Sequence, residues 1–296
     1  MIKYLNNSQF FENIAGKNGL KINNTTKLNI APNKVPYLSF NIFEDLDWLK
    51  IAFSTREGGV SKDYSSSMNF CLDRGDSREN VMKNFELFTE AINTTPDRCV
   101  CTKQTHTTNV LKVDGSNAGM GVTTQRNFDN IDGLITKEHN LCLVTAFADC
   151  VPVYFADTKN HCIGASHSGW RGTVGNITHN TVKLMADEFN TKPENIRAFI
   201  GPCICSDCYE VSEDVIDKFK ERYSAKEQEN IFYHTHDDKY QLNLTVANYY
   251  NMVNEGILPE NIGVSDICTC CNPEFMFSHR ATNGKRGVMC GFAYIK

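Results

Sequence analysis

Residues 147–173 read FADCVPVYFADTKNHCIGASHSGWRGT, and the rest of the chain is organised around them. Two apolar runs, 151–156 and 162–165, are each short enough to be a strand, and the turn-forming residues 157–160 join them, so the stretch predicts a β-hairpin. Its polar residues sit at the open end. Asp149 and Cys150 precede the first run, while His167 and then Gly-Trp-Arg-Gly follow the second. Antiparallel pairing sets the start of one strand beside the end of the next, which places Cys150 near His167. A thiolate and an imidazole held together on rigid strands suit either a metal ion or a Cys/His nucleophile.

Working outward, Val174, Ile177, Leu184, Met185 and Phe189 predict one helix after Gly172, with its N-terminal amides behind His167 and Arg171. Such an end attracts anions. Upstream, 132–135 and 141–147 read as strands. A strand over 98–102 runs into Gln104-Thr105-His106 before β character resumes at 109–113, so His106 falls at a strand end or tight turn. Strands at 37–42 and 49–54 precede STREGGVS (54–61), whose Gly58-Gly59 turn beside Arg56 is either an anion cradle or a polar hairpin loop. Asp76-Ser77 offers a cap to a helix carrying Val81, Phe85, Phe88 and Ile92 on one face.

Downstream, 196–200 is a buried-type strand and GPCICSDCYEV (201–211) a loop. Ser212 caps a helix with Val215, Ile216, Phe219 and Tyr223 inward, and 226–239 is a charged surface stretch. A helix over 244–255 stops at Gly256, and strands at 263–266 and 288–295 flank FSHRATNGKRG (277–287). Strands mixed with about four helices predict a single α/β or α+β domain over 35–296. Residues 1–34, rich in Asn and Lys, form an N-terminal arm or edge hairpin.

A chain of 296 residues with 41% hydrophobic content can bury a sizeable core, and a formal charge of −5 gives no nucleic-acid footprint. No stretch is long and apolar enough to span a membrane, and the N-terminus lacks a signal-peptide pattern, so a cytoplasmic protein is expected. Thirteen cysteines are an odd count, which in that setting points to free thiols or ligands. They crowd at Cys99/Cys101, Cys203/Cys205/Cys208 and Cys268/Cys270/Cys271. Cys205 to Cys208 and Cys268 to Cys271 have the C-x-x-C spacing of metal sites, although free cysteine also serves as a small buried hydrophobe.

Catalytic zinc takes three protein ligands and keeps a fourth position open, and His106, Cys150 and His167 supply such a set. Arg56, Arg171 and Arg280 would suit an anionic co-substrate. The same residues also allow Cys150 as a nucleophile with His106 or His167 as its base, or plain packing with hydrogen-bonded histidines. Residue patterns alone leave these three readings open.

The strings STREGGVS, S-x-x-M-N (65–69), QTH, ADCVPV, HSGWRGT, IGPC…CYEV and FSHR…GKRG, in that order, resemble the laccase-domain family. Its members have been called multicopper polyphenol oxidases, peptidoglycan editing factors and zinc-dependent purine nucleoside phosphorylases. The resemblance runs from about Leu49 to the C-terminus. It implies a layered sandwich of mixed β-sheets between helices, similar to the cytotoxic-necrotizing-factor catalytic fold, with zinc held by His106, Cys150 and His167. It further implies phosphorolysis of adenosine, inosine, guanosine and methylthioadenosine to base and ribose-1-phosphate, together with adenosine deamination. Asn69 is carried over as a nucleoside contact, and Arg56 and Arg280 match basic residues near the family's site. Many members carry Asn-Arg where this chain has Asn84-Phe85, so an arginine that could reach substrate is missing, with Lys83 a candidate substitute. A cell-wall precursor hydrolase is the alternative, and a copper oxidase is disfavoured because it needs many more histidines than the eight present.

Overall fold

The computed structural model describes residues 2–3 and 25–296. Its strands in chain order are β1 (Thr26–Ile30), β2 (Pro36–Phe40), β3 (Leu49–Ser54), β4 (Cys99–Cys101), β5 (Val110–Lys112), β6 (Gly133–Thr136), β7 (Cys142–Phe147) and β8 (Val151–Asp157). There follow β9 (Cys162–Ser168), β10 (Ile196–Ile200), β11 (Glu210–Ser212), β12 (Phe232–His236), β13 (Lys239–Leu242), β14 (Ile262–Val264) and β15 (Met289–Ile295). The helices are α1 (Arg78–Ala91), α2 (Trp170–Val174), α3 (Ile177–Phe189), α4 (Glu213–Arg222), α5 (Ala225–Ile231) and α6 (Leu244–Asn254).

Two six-stranded sheets form the centre, ordered β1-β2-β3-β15-β7-β4 and β14-β10-β8-β9-β6-β5. Most neighbours are antiparallel, but β4–β7, β10–β14 and β5–β6 are parallel, so both sheets are mixed. Alternation along the strands explains the layering. On β8, Tyr154 and Ala156 join Phe53, Phe147 and Phe199 in a core between the sheets, while Val151, Val153 and Phe155 join Val182, Met185, Phe219 and Val246 beneath α3, α4 and α6. A third cluster fixes α1 on the other sheet's outer face, through Val81, Phe85 and Phe88 against Val144, Cys290 and Phe292. The order is therefore helix, sheet, sheet, helices, a mixed α+β sandwich as expected.

The predicted hairpin is β8–β9, with Pro152 opposite His167 and Asp157 opposite Cys162. Both strands are buried along their whole length, which is why they read as nearly continuous apolar runs. The sheets approach closely where Gly291 of β15 faces Tyr154 of β8; a Cβ at Gly291 would lie 1.9 Å from the phenol oxygen.

Several local expectations need correction. The single helix predicted after Gly172 is two, α2 and α3, because Asn176 takes a left-handed conformation (φ 58°) and uses its side chain to accept the His179 amide as a new N-cap. Ser212 precedes α4 without capping it; its hydroxyl instead accepts from Lys239 Nζ at 3.0 Å. The charged stretch 226–239 holds most of α5, all of β12 and the start of β13, the latter two forming a small sheet in the order β11-β13-β12. Residues 4–24 of the expected arm lie outside the described residues. Thr26–Ile30 pairs along β2 at the sheet edge, from Thr26↔Phe40 to Ile30↔Pro36.

Candidate metal centre and active site

His106, Cys150 and His167 converge at the open end of the β8–β9 hairpin, with their ligand atoms all within 4.8 Å of one another. Each reaches the site by a different local device. His167 lies in β9, in register with Pro152, and Cys150 is the residue before β8, so the hairpin brings the two together. His106 comes from the β4–β5 connection and has a positive φ of 64°. That turn is held by Gln104, whose amide oxygen accepts the Ala146 N–H at 2.7 Å and whose Nε2 donates to the Ala146 carbonyl at 2.8 Å, extending the edge of β7. The histidine rings meet edge to face with centroids 4.9 Å apart. His106 is exposed, Cys150 half-buried and His167 buried, so the cluster opens to solvent on the His106 side.

Asp132, at the start of the strand expected over 132–135, is the residue behind this arrangement. Its Oδ1 lies 2.8 Å from His167 Nδ1 and accepts the His106 backbone N–H at 3.1 Å. Its Oδ2 accepts the amides of Thr105 and Thr107 at 3.1 and 3.0 Å and the Thr107 hydroxyl at 2.9 Å. One buried carboxylate thus orients one ligand ring and pins the turn that carries another. The available signal was an acidic residue at the head of β6, the strand that pairs with β9 through Gly133↔Ser166. Burial pushes the Asp132 carboxyl up, but His167 and the amides outweigh it and hold it below its ordinary value.

The electrostatics favour a thiolate beside an imidazolium, whose proton a bound metal would displace. Burial raises the Cys150 thiol, yet His167 and His106 more than offset this and bring it down to about 6. Burial lowers His167, but Cys150 and Asp132 lift it to about 9. Two imidazole nitrogens and one thiolate, one imidazole anchored through Nδ1 and so presenting Nε2, form a donor set that fits a metal with a position left open. Gly169 makes room for it, since a Cβ there would stand 3.0 Å from His106 Cδ2 and 3.1 Å from Cys150 Sγ.

The other candidate residues are placed differently. Arg171 is exposed on α2, stacked over Trp170 at 4.3 Å. Arg280 is exposed too, but its guanidinium donates to the carbonyls of Cys208 and Glu210 and lies 5.3 Å over the Tyr209 ring. Its backbone N–H donates to Asp149, the neighbour of Cys150, at 2.7 Å. Arg56 donates to the Ser66 and Pro273 carbonyls, and the Gly59 amide to Ser67 Oγ. Asn69 is fully buried, and its amide is taken up by Cys71, Asp76 and the Val288 N–H. Phe85 packs edge-on against Phe70 with centroids 4.9 Å apart, while Lys83 pairs with Glu86 on the exposed face of α1.

Comparison with known proteins places the fold and the family. The chain is 35% identical over 246 residues to the purine nucleoside phosphorylase YlmD of Bacillus subtilis (strain 168), covering 82% of this chain and 87% of that one. It is 30% identical over 244 residues to the adenosine deaminase RL5 of an unknown prokaryotic organism, covering 80% and 92%. The crystal structure of the Bacillus licheniformis hypothetical protein YfiH superposes with a TM-score of 0.86 at 32% identity, covering 92% of this chain and all of that one. YlmD from Geobacillus stearothermophilus gives 0.81 at 31% identity, covering 88% and 96%. The sequence profile described as "Multi-copper polyphenol oxidoreductase laccase" matches residues 50–296, and the chain belongs to this laccase-domain family of enzymes.

Proposed function

We propose that this chain is a zinc-dependent purine nucleoside phosphorylase, a cytoplasmic enzyme in which His106, Cys150 and His167 hold the metal. The observation that carries the reading is the convergence of these three ligands on an open position, in a chain 35% identical to a purine nucleoside phosphorylase. Zinc bound there supplies a positive charge that can polarise phosphate or water. The chain's own groups do the rest. Asp132 fixes the His167 ring so that Nε2 faces the ligand position, and Cys150 enters as a thiolate, lowering the net charge of the site. Arg171, four residues after His167, and Arg280, whose backbone N–H donates to Asp149, both place positive charge on exposed surface, suited to phosphate. In phosphorolysis a phosphate oxygen bonds to ribose C1′ as the bond from C1′ to the purine breaks, and the purine leaves with a proton.

A second activity, deamination of adenosine, is favoured by the 30% identity to an adenosine deaminase. A multicopper oxidase reaction is not favoured: among the described residues, the two clusters of metal-ligating side chains contain two histidines between them. Incubation of the zinc-loaded protein with inosine and phosphate should yield hypoxanthine and ribose-1-phosphate, and adenosine should yield inosine. A zinc-replete protein inert toward every purine nucleoside would overturn the reading and favour a cell-wall precursor as substrate. Turnover by fully metal-free protein would instead support Cys150 as nucleophile.

A further inference from the structure

The loop after β10 carries Cys205-x-x-Cys208, and the loop after β14 carries Cys268-x-x-Cys271. Two segments 60 residues apart, each with the spacing of a metal-binding knuckle, are brought together so that all four sulfurs lie within 4.8 Å of one another. Cys271 Sγ is 3.9 Å from Cys205 Sγ and 3.5 Å from Cys208 Sγ. Four thiolates around one zinc, with bonds of about 2.3 Å at tetrahedral angles, stand about 3.8 Å apart. A disulfide would bring two of them to about 2.0 Å. A four-iron cluster places each cysteine on a separate iron and spreads the sulfurs further than they are here.

Ordinary packing does not account for these four. Cys99, Cys101, Cys142, Cys162, Cys203 and Cys290 are buried members of the hydrophobic clusters, whereas Cys205, Cys208, Cys268 and Cys271 belong to none of them, and three of the four are only half-buried. The backbone is arranged for sulfur acceptors instead. The amides of Cys205 and Cys271 both donate to Cys268 Sγ, at 3.2 and 3.4 Å, a pattern that stabilises a thiolate.

We propose that Cys205, Cys208, Cys268 and Cys271 hold a tetrahedral Zn²⁺, a second metal site separate from His106, Cys150 and His167. Its role is to staple two loops that back the active site. Thr269, inside the second knuckle, donates its hydroxyl to Asp149 at 2.6 Å and its amide to the Cys203 carbonyl, and the Ile204 amide donates to the Asp149 carbonyl. The staple therefore braces the residue next to Cys150 from both loops.

The test is metal content and coordination in the full-length protein, purified under reducing, oxygen-free conditions after expression with zinc. Wild type should contain two zinc ions per chain. His106→Ala/His167→Ala should retain one, with X-ray absorption showing four sulfur neighbours at about 2.3 Å. Cys208→Ser/Cys271→Ser should lose that ion; should this variant not fold, the wild-type count and the sulfur coordination of the histidine variant decide. A histidine variant without metal, a zinc bound through nitrogen there, iron in its place, or a disulfide among the four cysteines in the isolated protein would each overturn the proposal.

Discussion

His167 Nδ1 and Asp132 Oδ1 lie 2.8 Å apart, with both side chains buried at 4% and 0% exposure. The contact does more than neutralise a buried imidazole, because the same carboxylate accepts three consecutive backbone amides, from Thr105 to Thr107. Replacing it with an amide keeps the volume, but puts a donor where only acceptors are wanted. Partners behind a metal-binding histidine are worth about 10–100-fold in metal affinity or activity. Asp132→Asn is therefore expected to weaken zinc binding by that factor, measured by chelator competition, with circular dichroism unchanged. Wild-type affinity in the folded variant would remove Asp132 from the site.

The lowered Cys150 thiol gives a pH prediction for protein stripped of metal by a chelator. A thiol near 6 is ionised above that pH and protonated below it, so its reactivity falls as pH drops through about 6. Alkylation of Cys150 by iodoacetamide, followed residue by residue with mass spectrometry, should rise to a plateau with its inflection near 6. Reloading zinc should suppress it. An inflection near the ordinary thiol value of 9.0 would show that the histidines do not act on it as described.

Gly169 is the residue whose missing side chain the site needs. Its φ of −69° suits any residue, so an alanine there meets no backbone objection. The objection is spatial, since the new methyl would press on His106 Cδ2 and Cys150 Sγ at 3.0 and 3.1 Å. Overpacking of this kind costs about 1–3 kcal/mol, which is about 5- to 150-fold in an equilibrium constant. Because the strain falls on the ligands, Gly169→Ala should lose zinc affinity within that range while its melting temperature without zinc changes little. The reverse pattern, a large drop in stability with unchanged affinity, would place the strain elsewhere.

What could be read from sequence follows from how local each determinant is. The β8–β9 hairpin was legible because apolar runs and a turn are neighbours in the chain, and pairing geometry then joined Cys150 to His167. Asp132 was not, because its role exists only once β6 lies beside β9, a relationship between segments 35 residues apart. The break between α2 and α3 escaped because Val174 and Ile177 keep a helical period through it, and only the left-handed turn at Asn176 reveals it. The two C-x-x-C spacings were visible, whereas their convergence depended on the β10–β14 pairing, which leaves their loops side by side.

The family resemblance implies an arginine where this chain has Phe85, and the structure makes a specific prediction for introducing one. The ring is 3% exposed and stands 4.9 Å from Phe70 and 6.3 Å from Phe292, inside the cluster that fixes α1 to its sheet. Phe85→Arg would remove that packing and bring a charge into an apolar layer. Loss of a buried aromatic alone costs about 3–5 kcal/mol, and an unpaired charge adds to it. Urea titration should therefore show the variant destabilised by at least about 3 kcal/mol. Its neighbour Asn84 already bridges the Val60 amide, Ser61 and the Asn69 carbonyl, so a displaced α1 would also disturb the 54–69 loop. The KM for phosphate should consequently rise or stay the same. A stable variant with tighter phosphate binding would mean that this position reaches the site, and that the packing of Phe85 is not what this chain requires there.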